Sequence, residues 1–278
     1  MPELPEVETI KRELSPQVVG QSFTGVDILD AQLVSGISVE EFRRKLTGQA
    51  IQSLERRGKY LIFELSKGDS LIIHLRMTGA LLLNPKGIVR HARAIFHLSH
   101  DIQLVFSDFR RLGVLCLVED ADVVVGKLGP EPLSESFTPD ILARRLAKHH
   151  IPVKAALTDQ TIIAGVGNMY ADEALFAARI HPLRKAHALS VDEIQTLYQS
   201  IRQVLCSAID SKGASVATYL RPDGQLGMAQ FDFKIAHRGG QPCSLCATLI
   251  ERVLVRNRSS YFCPRCQPLV ESSPLFPG

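Results

Sequence analysis

The chain begins Met1-Pro2-Glu3-Leu4-Pro5-Glu6, so that a small imino acid follows the initiator methionine. Removal of Met1 would expose a secondary amine at Pro2, and an N-terminal amine titrates near ~8, far below a lysine side chain. Part of this amine is neutral at neutral pH, and its attack on a sugar aldehyde carbon gives an iminium ion directly. Proline and acidic residues also suit the first turn of a helix, so these residues alone leave both interpretations open.

A second group with chemical potential lies near the C-terminus, where two C-x2-C pairs are separated by 16 residues. The four cysteines are Cys243, Cys246, Cys263 and Cys266. This spacing is typical of a four-thiolate zinc site, in which each pair forms a tight turn that presents two sulfurs to one ion. We therefore predict one structural Zn2+, with the apolar and aromatic residues between the pairs forming a β-hairpin.

Two disulfides are the alternative for these four cysteines, and the other two cysteines count against it. Cys116 and Cys206 lie in apolar stretches, as the buried free thiols of a reducing compartment do. The sequence shows no secretory signal, and we expect a cytoplasmic, bacterial-type protein that associates with the nucleoid through DNA.

The composition is that of an ordinary globular protein of 278 residues, with 45% hydrophobic and 22% charged residues. No apolar run is long enough to cross a membrane, so we expect no membrane partner. The net charge is only +3, but the segment 231–278 alone holds six Lys or Arg and three Asp or Glu. A small basic zinc hairpin is suited to binding phosphate, although a solvated charged face is the common alternative.

Hydrophobic periodicity predicts the elements that must position these groups. A helix is predicted over 5–14, ended by Ser15-Pro16, and another over 39–46 with Ser38 as N-cap. The following region alternates apolar and polar residues between short turns, which predicts a β-sandwich or barrel. The predicted strands are 22–29, 50–55, 60–65, 70–75, 80–83, 94–98, 102–106 and 114–118.

The periodicity becomes helical after 129–132, whose glycine and prolines predict a linker. Helices are predicted over 139–149, 172–179 and 191–211. Before the second of them, Gly165-Val166-Gly167 would permit close backbone approach to a phosphate, a weak signal by itself.

With these motifs in view, the chain resembles the formamidopyrimidine-DNA glycosylase family, which includes endonuclease VIII, essentially from end to end. The matching segments are Met1–Thr9, Arg57–Leu61, His74–Gly79, Asp108–Gly113, the stretch from Asp159-Gln160 through Ala171–Ala174, and the four cysteines with Gln267. The resemblance implies an α+β protein with an N-terminal β-sandwich and flanking helices over 1–128, and a helix–two-turn–helix domain over 129–230. It further implies a zinc β-hairpin over 231–270, a tail over 271–278, and DNA in the cleft between the halves.

The chemistry implied by the resemblance agrees with that of the N-terminal residues. Pro2 would attack C1′ of a damaged deoxynucleotide and expel the base, and β- and δ-elimination would then cut the strand. Glu3 would assist sugar-ring opening and proton transfer, and Glu6 would be a supporting acid. Lys59 is similar to the family lysine that reaches the phosphate near the lesion.

The resemblance also assigns residues that hold the DNA and fill the gap left by the extruded base. The residues at phosphate-contact positions are His74, Lys154, Asn168 and Arg258. The gap-filling residues are Met77, Arg110 and Leu112. The family commonly has phenylalanine where this chain has Leu112, and leucine stacks poorly on bases.

Two further departures bear on which damaged base is removed. In the oxidised-purine branch, the loop after the long helix usually carries a basic residue, where this chain has Ala217. Before the zinc hairpin, that branch usually reads Tyr-Gly-Arg, where this chain has Ala236-His237-Arg238, a His-Arg pair that resembles endonuclease VIII. The N-terminus is of the formamidopyrimidine type.

The expected function is therefore that of a bifunctional DNA glycosylase and abasic-site lyase acting on oxidised purines, namely 8-oxoguanine and formamidopyrimidines. The expected partner is double-stranded DNA with oxidised bases or abasic sites, bound by a monomer. One alternative is an endonuclease VIII-like preference for oxidised pyrimidines. The other is a zinc protein that binds lesions without cutting.

Overall fold

A computed structural model of the chain describes residues 2–269. Their contacts divide the chain into two compact units. The first contains the residues up to Lys127 together with Ala208–Gln230, and the second contains Leu128–Ser207 and the chain from Phe231 onward. The four-part domain division remains a prediction, and its tail, 271–278, lies outside the described residues.

The first unit begins with a helix and continues with short strands. Its helices are α1 (Leu4–Val18), α2 (Val39–Leu46) and α3 (Asp122–Val125). Its strands are β1 (Phe23–Ile28), β2 (Val34–Ser35), β3 (Ile51–Arg57), β4 (Tyr60–Leu65), β5 (Ser70–His74), β6 (Gly79–Leu83), β7 (Ala92–Leu98), β8 (Gln103–Asp108) and β9 (Val114–Val118). All eight predicted strands are present, and the two-residue β2 was missed because it is too short to show a period.

The strands form two separate sheets, which confirms the predicted sandwich. One sheet has the order β1-β7-β8-β6 and the other β2-β9-β5-β4-β3. Side chains from both sheets meet in one buried cluster that includes Phe63, Ile73, Phe96 and Phe106. The alternating pattern of the strands follows from this arrangement, because each sheet has one face in the shared core.

Helix α1 is longer than predicted, because it continues through Ser15-Pro16 to Val18. A proline inside a helix removes one backbone hydrogen bond, which favours a break. Here Leu14 and Val18 lie one turn apart and are both fully buried, so packing holds the last turn together. The prediction that Pro16 ends the helix was wrong for this reason.

The second unit is mainly helical and ends in a hairpin. Its helices are α4 (Pro139–Leu146), α5 (Val153–Leu157), α6 (Asn168–Ala177) and α7 (Val191–Asp210), the last of which extends into the first unit. The hairpin consists of β10 (Glu251–Val255) and β11 (Arg258–Phe262). Its two-residue turn, Arg256-Asn257, has positive φ at both positions, as a type I′ turn requires.

Helix α6 begins four residues before the predicted start, at Asn168. Every residue from Met169 to Phe176 is buried, so the helix has no polar stripe. Prediction from an amphipathic period depends on such a stripe, and a helix that is buried all round does not show one. Among residues 2–269, no helix is long and apolar enough to cross a membrane.

Candidate functional site

The N-terminal residues predicted to do chemistry lie at the start of α1. Pro2 and Glu3 are both buried, and Glu3 occupies the N-cap position with an extended backbone. The Glu3 amide donates a hydrogen bond of 2.7 Å to Glu6 Oε2, and the two glutamates form a capping box. Carboxylates are favoured at a helix N-terminus because of the helix dipole. The backbone that carries Pro2 is therefore held in one conformation.

The second carboxylate oxygen of Glu6 accepts a bond from elsewhere in the unit. The Ala214 amide donates to Glu6 Oε1 at 2.8 Å, and Glu6 is fully buried. One carboxylate thus joins the N-terminus to the segment that follows α7. The role of Glu6 as a supporting acid stays a prediction. Its two hydrogen bonds show that Glu6 also has a structural role.

Lys59 follows Gly58 in the tight turn between β3 and β4 and is 6% exposed. Gly58 has a φ of +57°, as the first position of a type II′ turn requires. Arg56 donates to the Gly58 carbonyl at 3.0 Å and contacts Glu8 of α1 through its Nε at 2.8 Å. This ion pair ties the turn that carries Lys59 to the helix that carries Glu3.

The Glu8–Arg56 pair lies in a partly buried place, with side-chain exposures of 14% and 10%. Burial opposes ionisation of Glu8, but hydrogen bonds and charge from Arg56 and Arg12 outweigh it and hold the pKa of Glu8 below its ordinary value. The carboxylate is therefore ionised at neutral pH, as the ion pair requires.

His74, at the end of β5, is a neutral hydrogen-bond donor. Its Nδ1 accepts the Arg76 amide at 2.9 Å, which leaves the proton on Nε2. Burial and the charges of Arg76 and Lys59 lower the pKa of His74 to about 3. The Tyr60 ring packs edge-on against His74 with 4.4 Å between centroids. This geometry leaves Nε2–H to donate to an anion without a proton being gained.

The three predicted gap-filling residues occupy two neighbouring loops of the first unit. Met77 and Leu112 are 43% and 40% exposed, so both apolar side chains are accessible at the surface. Arg110 Nη1 lies 3.2 Å from Met77 Sδ. The structure therefore brings Met77 and Arg110 into contact on the surface, with Leu112 on the same loop as Arg110.

Asp108 organises these two loops and was not singled out from the sequence. It is 1% exposed, and its carboxylate accepts the amides of Arg110 at 3.1 Å and Leu112 at 2.7 Å. It also accepts the Gly113 amide and the hydroxyl of Thr78, the neighbour of Met77. An aspartate at a strand end before a glycine-containing loop was the signal that could have found it.

An ion pair holds the same loop from its other side. Arg111, with a φ of +57°, contacts both oxygens of the buried Asp30, at 2.6 and 2.8 Å. Hydrogen bonding and charge from Arg111 hold the pKa of Asp30 below its ordinary value, against the opposing effect of burial. The side chains of Arg110 and Leu112 therefore project from a loop whose backbone is held at several points.

In the second unit, two predicted phosphate-contact residues meet at one carbonyl of the hairpin. Lys154 Nζ and Asn168 Nδ2 both donate to the Ser259 carbonyl, at 3.0 and 2.9 Å. Ser259 follows Arg258, which is exposed at the start of β11. Helices α5 and α6 thereby fix the strand from which Arg258 projects.

Lys154 is itself enclosed, at 1% exposure, and its ammonium group lies 2.7 Å from Asp172 Oδ1. Burial raises the pKa of Asp172 to about 7, while Lys154 and the Tyr261 amide favour the ionised form. Direct contact of Lys154 with DNA stays a prediction. Because the Lys154 ammonium is enclosed, its surroundings favour an indirect effect on DNA binding, through the Ser259 carbonyl and Asp172 that it contacts.

Glu173 is a second buried carboxylate that sequence reasoning did not select. It accepts the backbone amides of Lys234, Ile235 and Ala236 at 2.8 to 3.0 Å, immediately before the cysteine module. Burial raises its pKa, and these three amides oppose that shift. The segment that leads into the cysteine module is thus anchored to α6.

The four cysteine sulfurs converge within 4.8 Å of one another. Three of the sulfur separations are 3.9 Å for Cys243–Cys266 and 3.5 Å for both Cys246–Cys263 and Cys246–Cys266. A tetrahedron of thiolates around Zn2+, with Zn–S of about 2.3 Å, has edges of about 3.8 Å. A disulfide would require about 2.0 Å. The arrangement fits a zinc ion and excludes two disulfides.

Gln267, directly after the last cysteine, fastens this cluster to the helical part. Its Oε1 accepts the Cys263 amide at 3.0 Å, and its Nε2 donates to the Ile180 carbonyl at 2.8 Å. Gln267 is fully buried, so the loss of either bond would leave a polar group unsatisfied.

Comparison with known proteins places these features in a family. Family models match for the formamidopyrimidine-DNA glycosylase N-terminal domain over residues 1–115, the H2TH domain of the same proteins over 128–219, and the zinc finger found in FPG and IleRS over 240–269. A formamidopyrimidine-DNA glycosylase of Symbiobacterium thermophilum is 42% identical over 283 residues, which cover 100% of this chain and 92% of that protein. This chain belongs to the formamidopyrimidine-DNA glycosylase family.

Solved structures of the family agree with this assignment. A complex between a point mutant of the Lactococcus lactis FPG and a Fapy-dG containing DNA has a TM-score of 0.89, with 36% identity and coverage of 96% of this chain and 100% of that one. The MutM (FPG) protein of Thermus thermophilus has a TM-score of 0.88, with 40% identity and coverage of 96% and 98%.

The cysteine cluster is accordingly the zinc finger of this family, and its ion is structural. Four thiolates complete a tetrahedral shell and leave no position for an activated water. Cys243, Cys263 and Cys266 belong to a small buried cluster with Phe176, so the ion's contribution is to hold the hairpin on α6.

We predict that Cys263→Ser abolishes stoichiometric zinc binding and weakens DNA binding by roughly 100-fold, because the hairpin loses the ion that holds its two turns together. Metal analysis and DNA titration measure both effects. Cys206 was expected from its apolar stretch to be buried, but it is exposed on α7. Cys206→Ser is therefore the matched control and should change neither quantity. Fully reduced wild-type protein without zinc would contradict the prediction.

Proposed function

We propose that this protein is a bifunctional DNA glycosylase and abasic-site lyase that removes oxidised purines in base excision repair, using the Pro2 amine as its nucleophile. The observation that carries the proposal is the group at the start of α1. There, Pro2 adjoins the buried Glu3, and the Glu8–Arg56 pair connects the same helix to the turn that bears Lys59. An amine, an acid and a cation in one compact unit provide what Schiff-base chemistry on a sugar needs.

In the proposed reaction, the Pro2 nitrogen bonds to C1′ as the bond from C1′ to the damaged base breaks. The base leaves with its bonding electrons and takes up the proton that the Pro2 nitrogen gives up. Glu3 donates a proton to the ring oxygen, and the sugar opens to an iminium ion. The iminium acidifies C2′–H, so loss of that proton expels the 3′ phosphate, and a second elimination expels the 5′ phosphate. Hydrolysis of the iminium then restores the Pro2 amine.

The exposed residues Met77, Arg110 and Leu112 are proposed to fill the gap left in the duplex by the extruded nucleotide. The target nucleotide must leave the duplex to reach Pro2. Met77, Arg110 and Leu112 would occupy the vacated space, with Arg110 donating to the orphaned base. Leu112 supplies volume without an aromatic face, so it replaces lost stacking only in part.

Phosphate binding is proposed for groups that present donors without reading bases. His74 offers a neutral Nε2–H, and the exposed Arg258 offers a charged fork. Asn168 begins α6, where the helix dipole favours an anion. Lys154 would support both Asn168 and Arg258 through the Ser259 carbonyl.

Two observations support the preference for oxidised purines. The N-terminal segment is of the formamidopyrimidine type, and Arg238 is used in hydrogen bonds within its own turn. The Arg238 guanidinium donates to Gln241 Oε1 at 3.0 Å and to the Phe233 and Lys234 carbonyls at 3.4 and 3.3 Å. These bonds close the turn before the zinc finger, so local structure accounts for this residue of the His-Arg pair. Ala217 remains the observation that favours the second candidate, an endonuclease VIII-like preference for oxidised pyrimidines.

A panel of duplexes tests the proposal directly. We expect single-turnover excision of 8-oxoguanine opposite cytosine to be at least about tenfold faster than excision of thymine glycol. Faster excision of thymine glycol would favour the second candidate. Borohydride added to the same reactions should trap a covalent adduct, and failure to trap on any damaged or abasic duplex would favour the lesion-binding protein that does not cut.

We predict that Arg258→Ala weakens binding to every DNA sequence by about tenfold. We also expect the slope of the logarithm of the binding constant against the logarithm of salt concentration to fall in magnitude by roughly one, which corresponds to one phosphate contact. The reason is that an exposed arginine on a held strand would contact phosphate and not a base. Titrations at several salt concentrations measure both quantities. Arg144→Ala, an exposed arginine on α4, is the control and should change the slope less. A loss confined to one sequence would show that Arg258 reads bases.

A further inference from the structure

The loop over residues 213–227, which follows α7 in the first unit, is fastened to α1 at two places. At its start, the Ala214 amide donates to Glu6 Oε1 at 2.8 Å. Gly213 has a φ of +77°, and a Cβ there would lie 3.0 Å from Glu6 Cγ, so the backbone approaches this carboxylate closely. The start of the loop is therefore held by a fully buried acid of the helix that carries Glu3.

The second fastening is an ion pair formed by Arg221, in the second half of the loop. Arg221 Nη2 lies 2.8 Å from Glu13 Oε1, and Arg221 Nε lies 3.0 and 3.3 Å from the two carboxylate oxygens. Both side chains are only 20% exposed. A forked, partly buried pair of this kind is held more firmly than an ordinary surface ion pair.

The two carboxylates that hold the loop share one face of α1. Glu6 and Glu13 are seven residues apart, which is two helical turns. Between the two fastenings, Tyr219 is buried in the core, and its hydroxyl donates to the Lys212 carbonyl at 3.2 Å. The Pro222 carbonyl accepts the Leu83 amide at 2.8 Å, which adds a strand contact beside Arg221.

Two stretches of the loop stay exposed between and beyond these contacts, 216–217 and 223–226. Val216 and Ala217 are exposed, while the Thr218 hydroxyl lies 3.5 Å from the carbonyl of Met77. Ala217 also stands where the oxidised-purine branch of the family usually carries a basic residue. The methyl group of Ala217 offers no polar contact to a base, so a contact from this position would have to come from the loop backbone.

We propose that the Glu13–Arg221 pair is a latch that holds the 213–227 loop in the conformation that receives the extruded base, so that removal of a damaged base depends on this pair. Glu13 and Arg221 are positioning residues and touch no reacting atom. This inference rests on the proposed function. Loss of the latch should affect the two steps of the reaction differently. Base removal needs the loop, whereas the sugar chemistry at a site that has already lost its base does not.

The test is a double-mutant cycle of Glu13→Gln, Arg221→Gln and the two together. We expect amide hydrogen exchange in the 213–227 loop to accelerate by about tenfold in each single variant, with little further change in the double variant. Excision of 8-oxoguanine should fall by about tenfold, while borohydride trapping on an abasic duplex stays within about twofold of wild type.

Lys11→Gln is the matched control, because it removes an ion pair of α1, Lys11–Glu55 at 2.8 Å, that has no contact with the loop. Its loop exchange and excision rate should match those of the wild type. Unchanged exchange in both single variants, or equal losses of excision and abasic-site trapping, would overturn the latch. If wild-type protein excises no damaged base, the proposed function fails, and the exchange data still decide whether Glu13 and Arg221 hold the loop.

Discussion

Covalent trapping on damaged DNA is expected to disappear when any residue remains in front of Pro2. A peptide bond at the Pro2 nitrogen converts the amine to an amide, which has no basic lone pair for attack on C1′. The loss should be roughly 10³-fold or more in both excision and trapping, because no other group at the start of α1 can take over the nucleophile's role.

The comparison is made within one polypeptide. The protein is expressed with an N-terminal extension that a protease removes to leave Pro2 first, and borohydride trapping is measured before and after cleavage. Mass spectrometry of the trapped, digested product should give a DNA-linked peptide that begins at Pro2. Pro2→Gly keeps a primary amine and should retain part of the trapping. An adduct mapped to Lys59 or Lys154, or full activity with the extension in place, would contradict the mechanism.

Glu3→Gln is expected to separate base removal from sugar chemistry. Glutamine keeps the shape of the side chain but cannot donate a proton to the ring oxygen or stabilise the adjacent cation as a carboxylate does. General acid catalysis contributes roughly 10²- to 10⁴-fold, so excision of 8-oxoguanine should fall by that factor. On a duplex with a preformed abasic site, whose sugar already opens to an aldehyde, trapping should persist.

The control for this variant is Glu40→Gln, which removes one exposed carboxylate from the first turn of α2. It makes the same chemical change at a helix N-terminus away from the proposed site, and its rates should equal those of the wild type. Loss of abasic-site trapping in Glu3→Gln to the same extent as excision would show that Glu3 serves a later step or the fold itself.

The chemistry at the two ends of the chain was accessible from the sequence because it depends on residue type and short spacing. The four cysteines predicted zinc, and the observed sulfur separations fit that prediction. Strands β4 and β9 were predicted at their observed bounds, since alternation over a half-buried strand is a local signal. The start of α6 was not, because a helix buried on all sides carries no such signal.

The residues that hold the candidate site in place could not be predicted from the sequence. Asp108 and Asp172 stood inside recognisable motifs, yet nothing in their neighbours along the chain showed what each would hold. Asp108 accepts amides from a loop whose shape exists only after β8 packs in the sandwich. Asp172 meets Lys154 across two helices that the chain must first bring together.

The sequence by itself determined the family, the zinc ligands and the residues expected to react, because these depend on local residue types. Only the tertiary structure decided which groups hold the reacting ones in place. The hydrogen bond from Ala214 to Glu6 and those from Arg221 to Glu13 each join residues 208 positions apart. Contacts over such separations follow from the packing of the whole unit, and no periodicity or spacing along the chain encodes them individually.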